Sequence, residues 1–569
     1  MANLSKEKRE KLISYLNKLR NEFQDKDNLS TINEIEEILT EKKYGLVWEE
    51  HSERVDQEIE KHIPILEEEK ELKIKNCEEN TYNFLIEGDN LHSLKLLEKT
   101  HKGKIDLIYI DPPYNTGNKD FIYNDSFVEK DDSFKHSKWL SFMSKRLKIA
   151  RNLLSNKGFI FISIDDNEYP QLKILCDEIF EESNYEKTDY LQVRYSDKTL
   201  KSDMKYHKQI EQVLVYRKSV KAQPYLKSVD YNYDKFIYYF EELEKGKEVF
   251  LGNKKVEIFN NNQYRLHKSS VGNKDYLKEI WATGTILNGN SSGRFFRDYL
   301  ADRKEIDGLG TLYKVYDIGD DSHEYRYFTG PKKANATKGK YYQGVPVEKL
   351  EENSEIFKPI VNFFDMSPDF GNIRHEGNIS FNSGKKPIKL IKQYLEYFKE
   401  KNITVLDFFA GSGTTGHAVI QLNKEDGGNR KYILCTNNEN NICKDITYNR
   451  LKNIQDELPH NLKYFKTGFI SKFSEESSIK DILISKIIPL IELEYFCEVD
   501  GINTKIILSE EEFDEFLNNT NLKENITLFV SSEILISAKQ KNILSKKNIK
   551  LIEIPEYYYR NELMEAGEL

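Results

Sequence analysis

The stretch Ile105 to Gly117, IDLIYIDPPYNTG, decides how the rest of the chain is read. Ile105 to Ile110 is a short apolar run rich in branched and aromatic residues, the pattern of a buried strand, and Pro112 and Pro113 end it at once. Asp111 and Tyr114 are thereby fixed at the carboxyl edge of a sheet, where open α/β sheets bind ligands. The two prolines remove backbone donors and stiffen the turn, so its carbonyls can face something other than a ladder partner. Two readings stand: a proline-rich turn with Tyr114 as packing, or an acceptor and an aromatic ring presented to a substrate.

Working outward, the same alternation recurs. YNFLIEGDN offers a strand from Tyr82, ended by Gly88 and Asp89, with a helix over Leu91 to Lys99. Asp89 either caps that helix or stands at the strand tip as a ligand acid. After the polar and aromatic loop NKDFIYNDSF, a candidate to cover a substrate, Trp139 to Leu154 has helical periodicity, with Gly158 as its expected C-cap. The strand GFIFISID, a helix over Tyr169 to Phe180, and the strands YLQVRY and EQVLVYRK follow, to about Lys218. This predicts an α/β protein built on a parallel, doubly wound sheet.

Between about 220 and 375 the alternation is lost, and strand-like pieces alternate with Gly, Asn and Ser clusters, the mark of an inserted domain. Its Lys332, Lys333, Lys338 and Lys340 lie among small residues, as phosphate-contacting loops do, although lysine-rich surface loops are also common. Residues 1–80 are expected to form a helical N-terminal region, 81–219 and 376–460 two halves of the sheet domain, and 461–569 a separate α+β domain.

At 569 residues, 38% hydrophobic and 12% aromatic, the chain can build several cores. No apolar run approaches a membrane span and the first residues lack the apolar core of a leader, so a cytoplasmic protein with no membrane partner is expected. The cysteines at 77, 176, 435, 443 and 497 form no C-x-x-C pair, which indicates neither a disulfide framework nor a structural metal. The net charge of −10 resides in the tails, about −7 over 1–80 and about −6 over 461–569, leaving the middle slightly positive. A nucleic-acid site, if present, belongs in the middle.

The sheet resumes at KNITVLDFFAGSGTTGHAVIQL. Ile403 to Phe409 reads as a strand, Gly411 to Gly413 as a turn where a ligand can approach the backbone, and Thr414 as the start of a helix. A P-loop requires Lys and Ser or Thr where this chain has His417 and Ala418, so that reading fails. The dinucleotide spacing G-x-G-x-x-G is met by Gly411, Gly413 and Gly416, but says only that a ligand lies across the turn. Glu439 follows the next strand, KYILCTNN, placed to bind ribose hydroxyls or to cap a helix.

Asp111 to Tyr114, DPPY, together with DFFAGSGTT, resembles the two signatures of the DNA amino-methyltransferases. Their order, with the insert between them, is that of the β group. The length, DPPYNTGN, TNNENNICKDITYNR and EIPEYYYR look most like the modification subunit of a type III restriction-modification system. The resemblance implies a circularly permuted, Rossmann-like class I S-adenosylmethionine-dependent methyltransferase fold with an inserted target-recognition domain. It implies that Asp111 and the Pro112 carbonyl accept the hydrogens of an exocyclic amine, Pro113 stiffens the turn and Tyr114 stacks on the base, with no metal.

For the cofactor, S-adenosylmethionine, the same resemblance implies Asp89 at the adenine. It implies Asp407, Phe409, Ala410, Gly411, Ser412, Gly413, Thr414 and Thr415 around the methionine part, with Lys386 and Pro387 leading a helix over that end. The implied partners are double-stranded DNA, a second copy of the chain and an optional ATP-using restriction subunit. Asp at the first signature position leans to N6-adenine. The alternatives are N4-cytosine methylation, an orphan adenine enzyme, a Rossmann oxidoreductase, and a cofactor-free DNA-binding scaffold.

Overall fold

The computed structural model describes residues 4–22, 26–40, 48–117, 120–123, 126–197, 205–229, 231–282, 291–350, 356–380, 384–472, 478–518 and 523–566. Ten strands form the main sheet: β1 (His62–Glu68), β2 (Asn83–Glu87), β3 (Ile105–Ile110), β4 (Leu154–Ile164), β5 (Tyr185–Gln192), β6 (Ile210–Arg217), β7 (Phe363–Asp365), β8 (Thr404–Asp407), β9 (Lys431–Thr436) and β10 (Leu462–Ser471). Their order is β1-β10-β2-β9-β8-β3-β4-β6-β5-β7. Only β1 and β6 run against the rest. The sheet is therefore mixed, not wholly parallel as the alternation predicts. β5 and β6 follow one another in the chain and pair directly as antiparallel neighbours.

Neighbouring residues of a strand serve opposite layers. Ile160, Ile162 and Ile164 of β4 join the core formed with Leu140, Leu147 and Leu172 of helices Lys135–Leu153 and Tyr169–Phe180. Phe159 and Phe161 point the other way, where Phe161 stacks on Tyr394 of the helix Ile388–Leu395 at 4.2 Å between ring centroids. Helices thus cover both faces. The halves of this sheet are permuted in the chain: β3 precedes β8 in sequence but lies beside it in space. The order reverses between them, which makes the carboxyl ends of β3 and β8 the switch point at which such sheets bind ligands.

Several expected boundaries move. The helix Lys135–Leu153 ends one residue before β4 begins, so Gly158 is no helix cap. It lies inside β4 where the register against β3 shifts, and an added Cβ would stand 3.0 Å from the Ile105 and Asp106 carbonyl oxygens. Residues 62–80 belong with the sheet through β1, and β10 returns residues of the expected C-terminal domain to it. The last region adds a three-stranded parallel sheet, Thr504–Ile507, Thr527–Ser531 and Lys550–Ile554. It is not a separate body, because Ile491, Phe529, Ile554 and Leu563 enter the main core.

Two compact units result, Leu226–Ile360 and the remainder. The insert is narrower than 220–375, since Phe363–Asp365 pairs with β5 as an edge strand. Within the insert unit an antiparallel sheet of six strands packs Val256, Tyr313, Val315 and Phe328 against Phe295, Phe296 and Leu300. At the N-terminus, helices Leu4–Glu22 and Lys26–Thr40 bury Leu16 and Ile32 and join through Arg20 to Asn33 and Glu36. Among the described residues no helix is long and apolar enough to cross a membrane.

Candidate active site

β3 delivers Asp111 to the sheet edge, and the turn that follows is braced from below. The Trp139 indole donates to the Pro113 carbonyl at 2.7 Å. Asn115 adopts a left-handed conformation (φ 56°), which Asn tolerates better than most residues. Its amide donates to the buried Glu168 at 2.5 Å and to the Lys135 carbonyl at 3.1 Å. The cover loop continues through Thr116, whose backbone and hydroxyl both donate to Asp120, while residues 118–119 and 124–125 lie outside the described chain.

On the opposite wall, β8 ends in Asp407, which accepts from the Thr415 hydroxyl at 2.6 Å and the Phe409 amide at 3.0 Å. Burial pushes its carboxyl up to about 7. Those bonds tie the strand end to the helix Thr414–Asp426 across the glycine turn. The buried Arg450 fastens the turn from behind, donating to the Thr414 hydroxyl at 2.7 Å, and Thr447 donates to the Gly411 carbonyl at 2.5 Å. Gly411 has φ 47°, and a Cβ there would meet nothing closer than 3.7 Å as it entered the cleft. Gly413 (φ 74°) is different: its Cβ would meet the Thr447 side chain at 3.2 Å.

The two walls enclose a cleft of about 700 Å³. It brings together Asp89, Asp111, Pro112, Pro113, Tyr114, Lys386, Asp407, Phe409, Ala410, Gly411, Ser412, Thr414, Thr415 and Glu439. Asp89 caps the helix Asn90–His101, accepting from the Leu91 amide at 2.7 Å, and one of its oxygens also meets Arg146 at 3.3 Å. Arg146, fully buried, ties Asn90 and Glu53 together and lies 3.6 Å from the Phe142 ring centroid. Glu439 is exposed at the rim. Pro387 is the N-cap of the helix Ile388–Leu395.

Lys386 reaches across to the wall that carries Asp111 and Tyr114. Its ammonium donates to the Tyr114 hydroxyl at 2.7 Å and to Glu211 at 2.8 Å, and stands 3.3 Å from Asp111 Oδ1. Burial opposes its charge, but Asp111 and Glu211 outweigh that and hold its pKa above the ordinary value. Burial also raises the pKa of Asp111, assisted by Glu211 and opposed by Lys386. Glu211 and Arg146 are absent from the sequence reading. Glu211 stands at the start of an apolar strand and Arg146 among the lysines of a helix, and neither can be told from a solvated position until the fold closes. Of the insert lysines, Lys332, Lys333 and Lys338 are exposed on the loop before strand Lys340–Gln343, whereas Lys340 pairs with Glu279 at 2.7 Å over the Trp281 ring.

A carboxylate and a ring on one wall, facing a glycine turn across a switch point, are the parts of an α/β enzyme that sets a planar substrate against a nucleotide-like ligand. Within that class the chain belongs to the DNA methylase family, whose model matches residues 105–449. The permuted Rossmann-like methyltransferase fold expected from the two signatures is the one observed.

The chain is 32% identical over 417 residues to the type III restriction-modification enzyme StyLTI Mod subunit of Salmonella typhimurium, covering 66% of this chain and 56% of that one. It is 30% identical to the EcoPI Mod subunit of Escherichia phage P1, covering 68% and 62%. The type II methyltransferase M.KpnI of Klebsiella pneumoniae is 31% identical, covering 70% of this chain and 94% of that relative. The chain thus spans less than two thirds of each of these two Mod subunits.

Proposed function

We propose that the protein is a site-specific DNA adenine-N6 methyltransferase that uses S-adenosylmethionine and serves as the modification and recognition subunit of a type III restriction-modification system. The observation that carries this reading is the single cleft in which Asp111 and Tyr114 face the Phe409 to Thr415 turn. The Mod subunits among its relatives support the finer assignment.

The residues present fit the cofactor. Gly411 leaves space that a side chain would fill, Phe142, Phe409 and Ile442 supply apolar wall, and Asp89 and Glu439 stand at the rim as acceptors for an adenine amine and ribose hydroxyls. When bound, S-adenosylmethionine supplies a methyl group activated on a sulfonium. Phe409 to Thr415 would hold its methionine part, with Asp407 locking the turn.

The target amine is buried in pairing and stacking, so the adenine must leave the duplex, and Tyr114 would replace the lost stacking. Asp111 and the Pro112 carbonyl would accept the two amine hydrogens and aim the nitrogen lone pair at the methyl. Catalysis on this reading is positioning and electrostatics, with Asp111 as an acceptor that favours developing positive charge. Lys332, Lys333 and Lys338 of the insert would meet phosphates of double-stranded DNA. A second copy of the chain and an ATP-using restriction subunit are the partners of such a subunit, and the cytoplasm its place. Methylome sequencing of DNA from cells expressing the protein tests the reading: N6-methyladenine at one non-palindromic site supports it. N4-methylcytosine, or no new mark, overturns it.

A further inference from the structure

Asp111, Tyr114, Glu211 and Lys386 come from three separated segments of the chain and share one ammonium. The distances within the group are unequal. Lys386 makes short bonds to Glu211 (2.8 Å) and to the Tyr114 oxygen (2.7 Å), and the Tyr114 hydroxyl donates to the same Glu211 oxygen at 3.1 Å. Asp111 Oδ1 is buried and 3.3 Å from the ammonium, the longest contact of the group, and among the described residues it accepts no hydrogen bond of good geometry. The three donors of a lysine are thus directed at Glu211, Tyr114 and, most loosely, Asp111. An acceptor left in that state inside a low-dielectric pocket is costly unless a donor arrives to use it.

Resting on the methyltransferase reading, we propose that Glu211 is a positioning residue. It takes the short bonds of the Lys386 ammonium and the Tyr114 hydroxyl, so that Asp111 Oδ1 keeps only the looser 3.3 Å contact with Lys386 and can be claimed by the amine of the target base. With Glu211 charged, the group of two carboxylates and one ammonium carries a net negative charge, which favours positive charge developing on the amine nitrogen. With Glu211 neutral, Lys386 has only Asp111 as its anion. The amine then has to displace an ammonium from its own acceptor. Glu211 lies near the start of β6, where its backbone pairs with Leu191 of β5, one residue before the register with β4 begins at Gln212.

The test uses the full-length protein, S-adenosylmethionine labelled in its methyl group, and genomic duplex DNA from cells lacking the enzyme. Glu211→Gln preserves shape and can still bond Lys386 and Tyr114. It is expected to bind S-adenosylmethionine within twofold of wild type by calorimetry and to lower kcat at least tenfold with little change in KM for DNA.

The acid limb of the pH profile adds a signed readout that a packing role would not move. Asp111 is faced by Glu211 from β6, Lys386 from the segment before Ile388–Leu395, Tyr114 from its own turn, Tyr109 from β3 and Asp407 from β8. Removing the negative neighbour in Glu211→Gln should shift that limb to lower pH. Removing the positive one in Lys386→Met should shift it to higher pH, and the double variant should fall between them.

Wild-type kcat and an unmoved limb in Glu211→Gln would overturn the proposal. So would loss of cofactor binding together with turnover, which would make Glu211 structural; Glu211→Asp, which keeps the charge, should then fail equally instead of recovering part of kcat. A wild-type protein that neither binds S-adenosylmethionine nor transfers methyl would instead sink the methyltransferase reading itself.

Discussion

Asp111 and Asp407 are both carboxylates raised by burial at the tips of adjacent strands, yet they have different work. Asp407 has both oxygens engaged by short protein hydrogen bonds, whereas Asp111 Oδ1 has only the looser 3.3 Å contact with Lys386. Asp111→Asn should therefore lower kcat by about 100-fold or more while cofactor affinity stays within a few-fold, because the amide offers a donor where an acceptor is needed. Wild-type rates in that variant would remove the proposed pocket. Tyr114→Ala should weaken capture of the base by about 1 to 3 kcal/mol, the contribution of one base-aromatic stack, seen as a raised KM for DNA.

For Asp407 the effect falls on stability. Its folded pKa lies above its unfolded value, so its contribution is fully present below about pH 4 and is lost as pH rises toward its folded value of about 7. The difference in unfolding free energy between wild type and Asp407→Asn should fall across that window by on the order of 4 kcal/mol. Thr415 can reverse its hydroxyl to accept from the new amide, so the variant should fold. Parallel stability curves from urea titrations at pH 4, 5.5 and 7.5 would show that the carboxyl ionises freely.

At the scale of elements, the glycine turn yields the sharpest contrast. Gly411 and Gly427 flank the helix Thr414–Asp426, both have positive φ (47° and 68°), and a Cβ at Gly427 would meet nothing within 4 Å. Alanine at either should cost about 1 to 2 kcal/mol of backbone strain. Only Gly411→Ala puts a methyl group into the cleft, so it alone should weaken S-adenosylmethionine at least tenfold by calorimetry. Equal affinities would place the cofactor elsewhere. Gly413, which the sequence groups with Gly411 in the turn of ligand approach, packs toward Thr447, and substitution there tests the turn more than the site.

That difference shows what sequence can carry. The strand-then-proline run at Ile105 to Pro113 and the strand-turn-helix at Thr404 to Asp426 are local patterns, legible because periodicity and turn chemistry are properties of neighbours in the chain. The order of the two signatures exposed the permutation. The direction of β6, the position of Gly158 at a register shift, and the meeting of Glu211 with Lys386, 175 positions apart, depend on residues that are not neighbours in the chain, and no local pattern encodes them. Asp89 and Lys386 were legible as candidates and both line the cleft, but what each side chain touches was not legible: the first caps a helix beside Arg146, and the second reaches Tyr114.

On the scale of the whole molecule, the insert unit Leu226–Ile360 has its own core and sheet, which suits exchange as a piece. If Lys332, Lys333 and Lys338 meet phosphates, replacing all three by alanine should flatten the dependence of log affinity on log salt by roughly 0.9 per lost contact. Which sequences are preferred should not change. Lys340 belongs outside this set, because its charge is already paired with Glu279.

Exchanging Leu226–Ile360 for the matching segment of a relative is the complementary experiment, and the junctions matter. Phe363–Asp365 must stay with the host, since it completes the edge of the main sheet beside β5. The cleft with Asp111, Tyr114 and the glycine turn is built from residues outside the exchanged segment, so the chemistry should survive while the methylated sequence becomes that of the donor. Methylome sequencing of cells expressing the chimaera reads both outcomes at once. A chimaera that methylates its old target would move specificity out of the insert. A modified palindrome, on both strands, in wild type or chimaera would contradict the type III assignment and leave the methyltransferase reading standing, because target symmetry is a property of recognition and the transfer site does not depend on it.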